Sequence, residues 1–348
     1  MLFPMLSAPG RPGGPSGSLI ALLGLCLPAL ASCDGCDDGA PPVTTAASAS
    51  APLPLSQLPA QPTASAQPVV VMPEPRCPPE MVKVKVKGTD AGALPTYCID
   101  RHEAMLVDQA TGTRISPYYA PSRRAAQSTA RMWEKLRFEM GEPEAQAVPL
   151  PTLPAWQIQR DFEPRAVVRK GVTPNGHVSG ERAQMACRHG GKRLCSLAEW
   201  QTACRGEKGE QFPYGDKYLH RKCNVFREAH PAHILHDNAG LGHSDPRLNR
   251  VKFKGRPLLR KTGASPDCVS RWGDDGIYDM VGNLDEWIDD PDGVFAGGFY
   301  GRSTKEGCDW YATAHPFHYA DYSTGVRCCA DLPAPPTSEP GGGESATQ

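Results

Sequence analysis

The sequence predicts an α+β domain, and two observations predict it. Residues 82–87 alternate apolar and polar side chains, and residues 96–103 follow after a turn that contains Gly and Pro, so the two segments read as a half-exposed strand and its partner. Three stretches, 122–140, 180–189 and 196–205, carry helical spacing or helix-start and helix-stop residues.

Each element has a local reason. In 122–140, Ala126, Trp133, Leu136 and Met140 share one helical face, Ser122 stands where an N-cap belongs and Gly141 ends the run. The Gly180–His189 helix stops at Gly190-Gly191. Ser196 and Glu199 have the spacing of a capping box, and that helix stops at Gly206. Residues 143–164 are Pro-rich and read as an extended surface connection bearing Trp156. Residues 296–301, AGGFYG, read as a glycine-kinked strand, and 325–331 as the closing strand.

The organisation of the 348-residue chain follows from composition. Residues 1–32 contain an apolar run at 19–31, too short to span a bilayer and suited to a secretory signal. Leu30-Ala31-Ser32-Cys33 resembles the lipobox of bacterial lipoproteins, which implies lipidation of Cys33 and a membrane anchor in the bacterial cell envelope, periplasmic or at the outer surface. Residues 33–76 are an Ala/Pro/Ser/Thr tether and 332–348 a Pro/Gly/Ser tail, neither able to bury a core. The folded domain is therefore 77–331, and all six Trp lie between residues 133 and 310. With 37 Lys+Arg against 38 Asp+Glu, the chain as a whole carries no basic footprint for nucleic acid.

Ten cysteines fall in the domain: Cys77, Cys98, Cys187, Cys195, Cys204, Cys223, Cys268, Cys308, Cys328 and Cys329. An even number in an exported domain points to disulfides. Cys77 with Cys98 and Cys204 with Cys223 are the expected short loops, with Cys187–Cys195 a third candidate and the rest open. Zinc is disfavoured, because the domain has no Cys-x₂-Cys knuckle.

The densest motif is 276–290, GIYDMVGNLDEWIDD. Carboxylates beside a Trp and two Gly read as a loop folded back on itself. Asp279, Gly282, Leu284 and Glu286 offer two carboxylates and two backbone carbonyls, a donor set that suits calcium. The plainer alternative is a core turn whose acids face solvent.

Taken in order, these pieces resemble the formylglycine-generating enzyme, or sulfatase-modifying factor, family. Met81-Val82 with YCIDRHE, then GKRLCSLAEWQTACRG, FPYG, GIYDMVGNLDEW, AGGFY and GVRCCAD are similar to that family's successive signatures over 81–331. The resemblance implies a variant of the C-type lectin fold with much irregular backbone. It implies calcium at Asp279, Gly282, Leu284 and Glu286, and a second calcium at residues matching Asn224 and Val225. It also implies copper-dependent oxidation of a substrate Cys by two cysteines soon after the Gly-Gly pair. Here Phe299 and Arg302 occupy the positions of the family's Ser and first Cys, and Cys308 lies near the second. A guanidinium has no lone pair to give a metal, so a two-thiolate copper site is not expected, and Cys308 is expected in a disulfide. His315 lies in the closing region near the family's active groove and is a candidate substrate contact, with a hydrogen-bonded structural histidine the plainer reading, and His318 is equally open. His230, His233 and His236 recur every third residue and are expected at the surface of the 227–260 insertion.

The expected function is an exported, membrane-tethered binding or structural module, without formylglycine-generating activity, for a peptide, glycan or envelope protein. The alternative is a formylglycine-generating or related oxidoreductase acting on protein cysteine.

Overall fold

A computed structural model describes residues 74–86, 94–225, 229–302 and 304–332. The signal segment, Cys33, nearly all of the tether and the tail beyond residue 332 lie outside the described residues. The chain is mixed α+β, with short strands and helices joined by long irregular stretches.

Two four-stranded sheets carry the architecture. In the first, the hairpin Met81–Val84/Tyr97–Asp100 pairs with the closing strand Cys328–Asp331, which pairs in turn with Arg193–Leu194, all antiparallel. In the second, Tyr311–Ala312, Phe295–Ala296 and Asp285–Trp287 run antiparallel, and Thr324–Gly325 joins Asp285–Trp287 in parallel. Three two-stranded pairs complete the framework, the longest being Ala104–Asp108 with Pro164–Val168.

The helices form where local chemistry directs. Ser196 and Glu199 make the expected reciprocal capping box at the start of Leu197–Arg205, a device worth about 1 kcal/mol. Ser179 caps Gly180–His189 by accepting from the Arg182 N–H. The first helix is shorter than its sequence pattern, Arg123–Leu136, and Ser122 occupies its N-cap position without a side-chain bond. The Pro-rich stretch is not simply extended: Pro143–Gln146 and Ala155–Gln159 are short helices within it, and Pro164 opens a strand. The opening strand is half-exposed as its alternation predicts: Val82 and Val84 are buried in one core cluster with Trp200 and Tyr97, while Lys83 is partly exposed and Lys85 exposed. The glycine-kinked strand shortens to Phe295–Ala296, since Gly297 and Gly298 both take positive φ.

All ten domain cysteines are paired: Cys77–Cys98, Cys187–Cys328, Cys195–Cys329, Cys204–Cys308 and Cys223–Cys268. Cys77–Cys98 is the expected short loop. The expected Cys204–Cys223 and Cys187–Cys195 pairs do not form. Cys328 and Cys329 are adjacent on a strand, so their side chains leave opposite faces and enter different core clusters. Cys187 and Cys195, close in sequence, are thereby drawn to two sides of the closing strand. Bridges spanning 141, 134 and 104 residues each restrict the unfolded chain by about 4–5 kcal/mol in the chain-entropy account.

Two arginines, Arg247 and Arg327, are fully buried, and Arg327 joins distant parts of the chain. The Arg327 guanidinium grips Glu286 through Nε and Nη2 at 2.7–2.9 Å and donates to the Asp100 and Tyr278 carbonyls. It thus ties the closing strand to the hairpin and to the 276–290 motif. Replacing it by Met leaves Glu286 and its neighbours as buried, unpaired acids. Arg327→Met is expected to lose roughly 3–5 kcal/mol of stability, read by urea unfolding with the disulfides intact.

Candidate functional site

A cleft of about 260 Å³ opens beside the second sheet, with His230, His243, Arg302, His315, Tyr319 and Asp321 among its walls. The Gly297-Gly298 pair sets its geometry. A Cβ on Gly297 would lie 2.6 Å from the Met280 carbonyl oxygen, and one on Gly298 would lie 2.3 Å from Thr304 Oγ1. Both have φ above +70°, so glycine is required here on two counts. The chain then rises through Phe299 and Tyr300 to Arg302.

Arg302 is the cleft's cation. Its guanidinium lies 5.2 Å from the Phe299 ring centre and 4.6 Å from that of Trp310, within cation–π reach of both. Its Nη2 is 3.9 Å from Asp285 Oδ2. Asp285 is fully buried, and neither of its carboxylate oxygens has a hydrogen-bond partner. The nearby Ser323 hydroxyl donates to Asp321 instead. Burial pushes the Asp285 carboxyl up to about 8, against the opposing pull of Arg302.

Asp321 is the fully bonded acid. Its Oδ1 accepts from the Ser323 N–H and hydroxyl, and its Oδ2 accepts from the Tyr319 hydroxyl at 2.7 Å. His315 stacks on the Tyr319 ring at 3.9 Å, and His243 Nδ1 stands 4.0 Å from Asp321 Oδ2. His230 Nε2 is 3.0 Å from the Tyr322 hydroxyl, and burial lowers the His230 pKa, keeping the ring neutral. The cleft therefore offers one guanidinium flanked by rings, one oriented carboxylate and several imidazoles. It contains no thiol.

The expected site residues divide between this cleft and the core. Arg302 and His315 line the cleft, whereas His318 does not and is exposed. Cys308 sits in the turn Gly307–Asp309, buried and bonded to Cys204. The three spaced histidines do not gather: His230 faces the cleft, His233 is exposed, and His236 is buried against Trp133 and Asp245. The surface expectation thus fails for His236. Asp321, Tyr319 and His243 were not singled out from the sequence, and Asp285 only as one of the carboxylates of the 276–290 motif. The one available signal was that Asp285 precedes Glu286 on a strand, which sends the two acids to opposite faces.

The candidate calcium residues lie in the core beside Arg327. Asp279 is buried, takes the left-handed conformation, accepts from the Gly263 N–H, and is pushed up to about 6 chiefly by burial. Glu286 is already held by Arg327 and by Trp200 Nε1. A third acid, Glu103, accepts from the Leu284 N–H and the Asn283 amide, and burial with the neighbouring Asp279 and Glu286 raises it far above the usual carboxylate range. Of the acids in the motif, Asp279, Asp285 and Glu286 are buried, whereas Asp289 is exposed and Asp290 half-buried. Asn224 and Val225 are buried as well, and the Asn224 carbonyl accepts from the Asn283 N–H. Among the described residues no cluster of three or more His, Cys, Asp or Glu is disposed to hold a metal.

The Asp285 shift has a definite sign. Below about pH 4 the group is protonated in the folded and unfolded chain alike. Above that, the unfolded chain releases the proton while the folded protein keeps it, so this contribution to stability declines as pH rises through about 8. The thermal midpoint is expected to fall more steeply between pH 5 and 9 in the parent protein than in Asp285→Asn. Parallel profiles for the two proteins would contradict it.

Comparison with known proteins adds the family. Residues 154–332 match the model of the sulfatase-modifying factor enzyme 1-like domain. Over 116 residues the chain is 32% identical to "Inactive C-alpha-formylglycine-generating enzyme 2" of Bos taurus, covering 33% of this chain and 32% of that one. Over 147 residues it is 26% identical to "Formylglycine-generating enzyme" of Thermomonospora curvata, covering 41% of this chain and 37% of that one. These matches span little more than a third of the relatives' own lengths. Among solved structures, CarF aligns at 13% identity and TM-score 0.33, over 73% of this chain and 97% of that one. PvdO from Pseudomonas aeruginosa aligns at 14% identity and TM-score 0.31, over 72% and 91%. The family model covers more than half of the 348 residues, and the chain belongs to the sulfatase-modifying factor enzyme 1-like domain family.

Proposed function

We propose that this protein is an exported binding module that has lost formylglycine generation. The observation that carries the reading is the Cys204–Cys308 disulfide. Cys308 is the single cysteine between Gly297 and Arg327, and a sulfur bound to another sulfur is neither a thiolate nucleophile nor a copper(I) ligand. Arg302 stands where the family's other thiol would be needed and has no lone pair to offer. The residues present do not fit a copper site, and no oxidative step is derived from them. Five disulfides suit an oxidising, exported compartment. Among the described residues no helix is long and apolar enough to cross a membrane.

In the cleft, Arg302 binds rather than reacts. Its fork is held between two rings, so it is pre-organised to meet a carboxylate or similar anion on a ligand. Asp321, aligned by Ser323 and Tyr319, presents an acceptor across the cleft. The inactive bovine relative supports a family in which the fold outlives the chemistry, and its name says no more than that.

Calcium belongs to this proposal as a structural brace. Glu103, Asp279 and Glu286 are buried together near Arg327, burial and their mutual repulsion raise Glu103 and Asp279, and a divalent cation would favour their ionised forms. Asp279 and the Gly282 and Leu284 carbonyls would hold it, with Glu286 shared with Arg327.

Two outcomes are expected. The purified domain binds copper(I) no better than a cysteine-free control and leaves a cysteine-containing peptide unconverted by mass spectrometry, under conditions where a formylglycine-generating enzyme converts it. Formation of the aldehyde would restore the oxidoreductase reading. Millimolar calcium raises the thermal midpoint by a few degrees and a chelator reverses it, with the effect absent in Asp279→Ala. An unchanged midpoint removes the cation from the account.

A further inference from the structure

Away from the cleft, three shallow depressions share walls. One of about 360 Å³ is bordered by Arg114, Arg165 and Arg169. The next, about 410 Å³, adjoins it at Arg114 and reaches Arg250 past Tyr118, Pro151 and Pro154. The third, about 480 Å³, continues from Arg250 through Lys252, Arg256, Arg260 and Lys261. Eight cations line this run, and no Asp or Glu lines any part of it. Arg114, Arg169, Arg250, Lys252, Arg256 and Lys261 are exposed.

These cations are left over. None of the eight forms an ion pair among the described residues, although Arg101, Arg123, Arg160, Lys192, Arg193, Arg205, Arg247 and Arg327 all do. Arg165 Nε is buried with no partner. Arg260 donates to Ser265 and feels the field of Asp279 from within the core, and its neighbour Arg256 opposes its charge. The whole chain is near neutral, with 37 basic and 38 acidic residues, so this one-signed face is a matter of placement and not of composition. Unpaired like charges repel one another, and an anionic partner relieves that repulsion while drawing on its field.

The shape and lining narrow the partner. A run of joined depressions suits an extended chain more than a small ion. Tyr118 is the only aromatic residue lining it, too little for base stacking along a nucleic acid. The large exposed apolar residues of the described chain, Met132, Phe138, Val148, Leu219, Leu241 and Tyr311, all lie outside it, so nothing there inserts into a lipid surface. Pro154 and Pro257 give flat apolar ledges at its surface, and Thr152 and Thr173 set hydroxyls near them. Flat ledges with interspersed hydroxyls suit sugar rings, and cations suit their acidic substituents.

We propose that this face binds an anionic polysaccharide. It supplies a partner for the binding module, and it stands whether or not the cleft has lost cysteine oxidation. The copper and peptide assays read the cleft alone, so the failure of one reading is distinct from the failure of the other.

The test uses the exported, fully disulfide-bonded protein with heparin as the sulfated probe and polygalacturonate as the carboxylated one. Binding to at least one probe at about 0.15 M salt is expected, weakening linearly in log–log form as salt rises. A variant carrying Arg250→Ser, Lys252→Ser, Arg256→Ser and Lys261→Ser is expected to bind on the order of tenfold more weakly or worse, with its thermal midpoint and disulfides retained. If the fourfold variant does not fold, Lys252→Ser and Arg256→Ser singly are expected to elute from immobilised heparin at lower salt. No binding to either probe overturns the proposal, as does undiminished binding by the folded variants. Tighter binding to single-stranded DNA or to phosphatidylglycerol vesicles than to either polysaccharide overturns the assignment of the partner.

Discussion

The buried guanidinium of Arg327 is the constraint from which the rest of the arrangement follows. It is held by both oxygens of Glu286 and by the carbonyls of Asp100 and Tyr278, contributed by three separate parts of the chain. A guanidinium without water around it must satisfy its donors inside the protein, which fixes the positions of the hairpin, the 276–290 motif and the closing strand relative to one another. The next two residues, Cys328 and Cys329, carry that fixed point outward through disulfides to Cys187 and Cys195. One tripeptide thus couples an electrostatic clamp to two covalent ones.

The same strand that feeds this clamp also shapes the cleft. Glu286 points into the core and is fully bonded, whereas Asp285, one residue earlier, faces the Arg302 side and has no hydrogen-bond partner. Alternation along a strand makes one acid structural and leaves the other unsatisfied. A buried, unsatisfied carboxyl beside a guanidinium held between two rings is a costly feature for a purely structural element. Around it, Asp321 and Tyr319 give the cleft fixed polar edges while the nearby sulfur is bound up with Cys204. The proposed binding role rests on this set of groups.

Local signals were legible wherever neighbours in the chain are neighbours in space. The Ser196–Glu199 capping box, the stop at Gly206, the Cys77–Cys98 loop and the need for glycine at Gly297-Gly298 are of this kind. The other disulfides were not. Loop-closure cost grows only slowly with length, so proximity in sequence is a weak guide to partnership, and Cys204 reaches past Cys223 to Cys308. The alternation of the opening strand was legible too, with Val82 and Val84 buried and Lys85 exposed, whereas burial within an insertion depends on what arrives from elsewhere in the chain. His236 looked exposed in a polar insertion and is buried against Trp133 for the same reason.

By itself the sequence determined the α+β class, the family, the even set of cysteines and the absence of a second thiol where Arg302 stands. Those depend on residue identity and short-range spacing, which folding does not alter. Only the tertiary structure decided which sulfurs meet, which acids face Arg327 and which face the cleft, and that eight unpaired cations come to lie along one surface. Each of these depends on where strands distant in sequence come together, and a linear pattern carries charges and sulfurs without their directions.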